Sequence, residues 1–225
     1  MASTDPATAG RTGGRRARGA LTADLIVTAA LEITRQDGLE ALSMPRLARH
    51  LGCGVMTIYG HLDGRDQLLG LLCSRVLGGL EAERADGIGG REALTRFALA
   101  LHGRMLQHPA LAHLLTQRKL WSPEVADLVE WVLAELTVDG RTLEQAVTAY
   151  RLVLTHTLGA VLYELPRTGA DQRAEYAAWW RHTLADLPAD DYPLLHAAGD
   201  HLGRAPADSR FRTGLTALLD GLGTP

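Results

Sequence analysis

The sequence predicts an all-α protein, with a small N-terminal three-helix unit followed by a larger helical body. Two observations carry that prediction. From residue 22 onward apolar residues recur at helical spacings, and no stretch shows the strict alternation of a half-buried strand. Breakers then fall at helix-length intervals: Gly38, Gly52, Pro109, Ser122-Pro123, Asp139-Gly140, Pro166 with Gly169, Pro188, Pro193 and Pro206. The 225 residues are 46% hydrophobic and 22% charged, which suits a packed globular chain and excludes a disordered one. Aromatics make up only 5%, so the core must rest on Leu, Ala and Val.

Residues 1–20 are mostly Gly, Ala, Ser, Thr and Arg without periodicity and are expected to form a flexible basic arm. Ile26, Ala29, Ala30 and Ile33 then mark one face of a first helix. Thr22 is placed to cap it, Asp24 suits its first turn and Gly38 ends it. Ser43 is a good cap for a short second helix, in which Pro45 falls in the first turn where a missing N–H is harmless. Leu47, Ala48 and Leu51 form its inner face and Gly52 stops it. A third short helix is expected over Val55–His61. Asp63 is expected to cap a fourth, running to about Glu83. In the body the pattern places helices near 91–107, 109–118, 122–138, 142–165, 171–186, 193–202 and 207–222.

Several function classes are excluded or disfavoured. No stretch approaches the roughly 18 apolar residues of a membrane span. The first 20 residues lack the apolar core of a signal peptide. A cytoplasmic protein with no membrane partner is therefore expected. Cys53 and Cys73 form neither a disulfide framework nor a CxxC metal site. His108/His113 and His196/His201 are spaced i, i+5, which does not stack on one helical face, so no metal is expected. HExxH, GxSxG, P-loop and strand–helix GxGxxG motifs are absent, and neither an enzyme nor a cofactor is expected.

Charge is unevenly placed. The net charge is -3, yet residues 1–65 hold eight arginines against six acids. Arg11, Arg15, Arg16 and Arg18 crowd the arm with no acid among them. A basic front on an acidic body points to a polyanion partner for the front alone. Residues 42–62 suit that partner. Two short helices meet across a tight Gly-containing turn, and the second can place an exposed face in a major groove while the first crosses the backbone.

Residues 21–70 resemble the DNA-binding domain of the TetR family of transcriptional regulators. The likeness rests on Ala29-Ala30-Leu31, Gly38-Leu39, Ser43, Leu47-Ala48 and Leu51-Gly52. It continues through Thr57-Ile58-Tyr59, His61-Leu62 and Arg65, then Leu68-Leu69. The stretch from Phe211 to Leu222 also resembles the last helix of many members. The resemblance implies a helix-turn-helix domain over 21–65 and an effector-binding and dimerisation domain over 66–225. It implies a homodimer on palindromic double-stranded operator DNA, with half-sites about 34–36 Å apart. Thr57 and Tyr59 would donate hydroxyls to phosphates, with half-buried packing the alternative for Tyr59. Arg65 would bind phosphate bidentately, and His61 matches a phosphate-contact position. Arg46 and Arg49 can touch the backbone, a solvated face being the alternative for at least one of them.

The sequence departs from the family where bases are read. Base readout draws on polar side chains, but the third helix offers Gly54, Val55, Met56, Thr57 and Gly60, and the second offers Met44 and Pro45. Val55, Met56 and Pro45 can supply apolar contacts to thymine methyls. Binding mainly through phosphates is expected.

In the body, the helices over 142–165 and 207–222 are expected to form the dimer interface. The first is apolar on two sides. Phe211, Leu215, Leu218, Leu219 and Leu222 line one face of the second. An intrachain core is the alternative. Candidate residues for a pocket that takes a small hydrophobic effector are His102, Trp121, Tyr150, Thr157 and Trp179, with plain core packing as the alternative. Release of DNA by that effector would make the protein a repressor. The competing reading is a helical small-molecule-binding or partner-binding protein that has lost operator recognition.

Overall fold

The computed structural model describes residues 21–223 except 79, 81–83, 110–111, 113, 116–122, 166–169 and 205–207. Among the described residues it is all-helical. The order is α1 (Ala23–Asp37), α2 (Met44–Leu51), α3 (Val55–Tyr59), α4 (Arg65–Leu77) and α5 (Gly90–Gln107). There follow α6 (Pro123–Val138), α7 (Leu143–Glu164), α8 (Ala170–Ala185), α9 (Pro193–Leu202) and α10 (Asp208–Gly221). No described helix is long and apolar enough to cross a membrane.

The caps follow the side-chain chemistry. The Thr22 hydroxyl accepts the Leu25 amide at 3.2 Å, and Ser43 accepts the Arg46 amide at 3.3 Å. Thr142 and Gln145 form a reciprocal capping box at the start of α7. Gly52 ends α2 in the left-handed region, at φ 66°, where its amide and that of Cys53 reach back to the last carbonyls of α2.

α1, α2, α3 and the first half of α4 enclose a small core. Ile26, Ala30, Leu47, Ile58, Leu68 and Leu72 are completely shielded from water there. Each such Leu or Ile contributes roughly 1.5–3 kcal/mol. α4 continues into the body, where it packs on α5 and α6. α5 lies against α6, α7 and α10, around Leu94, Phe97, Leu101, Met105, Val132, Leu136, Val153 and Phe211. α8 and α9 pack on each other as a hairpin.

Three expectations change at element ends. Asp63 does not cap α4: the N-cap is Gly64, and the Asp63 amide instead donates to the Gln67 side chain. α4 ends at Leu77 rather than near residue 83, because Gly78 opens a glycine pair with low helix propensity. α3 stops at Tyr59, which leaves His61 beyond the helix. The arm over 1–20, most of the helix expected over 109–118, and Trp121 lie outside the described residues.

Candidate functional site

α3 is barely more than one turn long and carries no side-chain cap. Ile58 holds it most firmly, fully buried against the three-helix core. With Ile58 pointing inward, Met56, Thr57 and Tyr59 point outward. Met56 is 80% exposed and Tyr59 45% exposed, and Thr57, Gly60 and His61 are exposed too. Val55 is half-buried against the core, so less of it is available than of Met56. Arg65, exposed, opens α4 just beyond. The result is a small convex surface with a thioether, two hydroxyls, an imidazole and a guanidinium. Its chemistry fits phosphate oxygens and thymine methyls better than base-edge hydrogen bonds.

Behind this surface α2 is tied to α1 by charge. Arg46 pairs with Asp37 at the end of α1, and His50 Nε2 lies 3.2 Å from Glu32. Arg75 of α4 pairs with Asp24 in the first turn of α1. All three pairs are exposed enough that each is worth well under 1 kcal/mol net. Their effect is to engage Arg46 within the protein, whereas Arg49 projects from the exposed side of α2.

In the body, His102, Tyr150 and Thr157 lie on α5 and α7, which pack together. His102 is 3% exposed. Its Nε2 lies 3.0 Å from Glu164 Oε2, and its ring stacks on Phe211 with centroids 3.9 Å apart. Thr157 is fully buried and donates its hydroxyl to Val153 O at 2.8 Å, inside its own helix. Tyr150 meets Phe97 of α5 at 5.5 Å, and burial pushes its phenol pKa up. Trp179 is elsewhere: it is 55% exposed on α8, against Tyr176 and Trp180. The sequence candidates therefore divide into a buried α5–α7 set and an exposed α8 residue.

Two clefts flank these elements. One of about 610 Å³ lies among α1, α4 and the start of α6, and is lined by Asp24, Val27, Leu71, Ser74, Arg75 and Glu124. One of about 300 Å³ is lined by Arg91, Leu94, Asp139, Arg141 and Leu219. Neither includes a sequence-predicted pocket residue. At the end of α5, burial first, and then the charges of Arg104 and Arg35, push the His108 pKa below its usual range.

Sequence reasoning missed Glu164 and Phe211 as the partners of His102. A charged residue on the buried stripe of the helix over 142–165 was the available signal for Glu164. The stacking of both His102 and His156 on Phe211, which joins α5, α7 and α10, left no trace in local spacing.

Comparison with known proteins agrees with this arrangement. The model of the tetracyclin repressor-like C-terminal domain matches residues 85–225, and that of bacterial regulatory proteins, tetR family, matches residues 26–72. The HTH-type transcriptional repressor DrrR1 of Streptomyces coeruleorubidus is 34% identical over 225 residues, covering 94% of this chain and 82% of the relative. An HTH-type transcriptional repressor of Mycobacterium tuberculosis is 31% identical over 216 residues, covering 93% and 83%. Among solved structures, Streptomyces coelicolor ActR in complex with actinorhodin superposes with a TM-score of 0.79 at 31% identity, covering 90% of this chain and 95% of that one.

Proposed function

The chain belongs to the tetR family of bacterial regulatory proteins, and from that premise we propose that it binds a palindromic operator as a homodimer and releases it when a small hydrophobic effector enters its body. Membership makes it a DNA-binding regulator of transcription. The observation that carries the operator reading is the surface built on α3. Ile58 anchors it, and Met56, Thr57, Tyr59, His61 and Arg65 stand outward together. In this reading the hydroxyls of Thr57 and Tyr59, the His61 ring and Arg65 engage phosphates, while Val55 and Met56 touch base methyls. Arg46 serves by holding α2 on α1, and Arg49 is the α2 cation left to meet a phosphate.

The effector reading rests on the family and on ActR, which has been solved with actinorhodin. It assigns His102, Tyr150 and Thr157, on the packed helices α5 and α7, to the surroundings of the bound effector. Trp179 would act from the α8–α9 hairpin, and Trp121 lies outside the described residues. An effector that binds the non-DNA conformation better shifts the population toward it. A coupling of about 1–3 kcal/mol lowers operator affinity roughly 5–150-fold.

The test is retention of fragmented source-genome DNA on the purified protein at about 0.1 M salt, where the Debye length is near 10 Å and long-range attraction is damped. An enriched palindrome supports the reading. A folded dimer that enriches nothing favours an effector-binding protein without an operator. Salt dependence tests the phosphate-dominated mode. Arg49 and Arg65 of two protomers give a slope of log K against log salt of about −4, which the four arm arginines of each protomer steepen to about −11. Removal of residues 1–20 should therefore flatten the slope, while single-base operator changes cost less than the usual roughly 1–3 kcal/mol. A flat slope with sharp base penalties would sink the phosphate-dominated mode.

A further inference from the structure

Residues 85–90, which lead into α5, are held by side chains of α6 and of the residue that follows it. Trp131 and Glu135 stand four residues apart on one face of that helix, and Asp139 follows four residues on, just past its last residue, Val138. The Trp131 indole N–H donates to Ala85 O at 3.3 Å. The Glu135 carboxylate accepts the Gly87 amide at 2.9 Å through Oε1 and the Gly89 amide at 3.0 Å through Oε2. Asp139 Oδ2 accepts the Gly90 amide at 2.6 Å, at the first turn of α5. Glu135 is buried, so its two carboxyl oxygens are out of water and rely on those two donors.

The local sequence fits this grip. Gly87 and Gly89 have φ of 70° and 83°, conformations that L side chains rarely adopt. A methyl on Gly90 would meet Leu136 Cα at 2.8 Å, so α5 starts in direct backbone contact with α6. α4 carries the DNA-facing unit at one end and stops at Leu77, eight residues before the first gripped residue, Ala85. Its 13 residues span about 20 Å, so a swing of about 10° about its body end displaces the far end by about 3.4 Å, one base-pair step.

We propose that Glu135 is a positioning residue: by gripping the amides of residues 87 and 89 it fixes where α4 leaves the body and so sets the spacing of the two recognition helices on DNA. This rests on the dimeric operator reading above. Trp131, from the same face of α6, and Asp139, just past the end of that helix, support the same segment.

The experiment lets the full-length wild-type protein select its own site from random duplex DNA. That site is then lengthened or shortened by one central base pair, and binding is measured for wild type, Glu135→Gln and Asp139→Asn. The Gln variant keeps the side chain's shape and one acceptor but turns an NH2 toward a backbone N–H. Wild type should lose about tenfold or more for each change in spacing. Glu135→Gln should lose about threefold or less while binding the original site within tenfold of wild type, a relaxation that mere loss of stability does not produce. A Gln variant that keeps the wild-type spacing penalty overturns the proposal. Should that variant not fold, Asp139→Asn is read by the same criterion. A wild-type protein that selects no two-part site overturns the operator reading itself, and this proposal with it, before any variant is compared.

Discussion

Burial alone separates the two cysteines. Cys53 lies half-buried in the turn between α2 and α3, whereas Cys73 is buried on α4, where desolvation pushes its thiol pKa to about 12. The folded chain therefore holds that proton up to about pH 12, while the unfolded chain releases it near the ordinary value of 9.0. Between those values the unfolded state binds fewer protons, so stability falls as pH rises. Cys73→Val should remove this loss. Over that window wild type should lose up to about 1.4 kcal/mol per pH unit more than the variant in urea unfolding. A parallel pH dependence in the two proteins would contradict the assigned burial. From sequence the two cysteines read as neither a disulfide framework nor a CxxC metal site. Spacing alone does not distinguish them, because burial depends on how the helices around each one pack.

At the scale of elements, legibility tracked the locality of the interactions. Thr22, Ser43, Gly38 and Gly52 act on backbone within four residues, and the structure places each at the helix end the sequence assigned. α4 was misread at both ends because an aspartate one residue too early looked like a cap and because an apolar pattern ran on through Gly78. α3 shows the opposite case. Five residues cannot sustain a helix alone, and its geometry comes from Ile58 seated in the core. Ile58→Ala should therefore destabilise the chain by about 2–5 kcal/mol. Thermal melting and operator binding check this together, and binding should be lost before the body unfolds. Ser43→Ala, which removes only a cap, should cost about 1 kcal/mol and leave binding measurable.

For the whole molecule, the single chain leaves part of α7 uncovered. Its buried stripe runs through Ala146, Ala149, Val153, Thr157, Val161 and Glu164. Leu152 and Tyr163 are 44% and 51% exposed on another side, the Tyr163 hydroxyl 3.0 Å from that of Tyr176 on α8, with Gly159, also exposed, between them. On α10, Phe211, Leu215 and Leu219 are committed to the chain's own core, so the α10 apolar face expected for dimerisation serves the interior instead. This leaves the Leu152–Gly159–Tyr163 row of α7, with the outer side of α10, as the surface proposed for the homodimer. Leu152→Glu with Tyr163→Glu should give a folded monomer by sedimentation, and binding to a two-part site should fall to the level of a single half-site. A doubly substituted protein that sediments as a dimer would move the interface elsewhere.

The sequence by itself determined the all-helical class, the helix ends set by local caps, and the family likeness carried by residues 21–70. Each of these depends on neighbours within a turn or two, where side-chain chemistry and periodicity act directly. Only the tertiary structure decided that Arg46 is engaged by Asp37, that His102 is matched to Glu164 and stacked on Phe211, and that Glu135 grips a segment 46 and 48 residues away. Those pairings join helices far apart in the chain. Which of several polar side chains on a helix face meets a partner is set by helix packing, and local spacing carries no record of it.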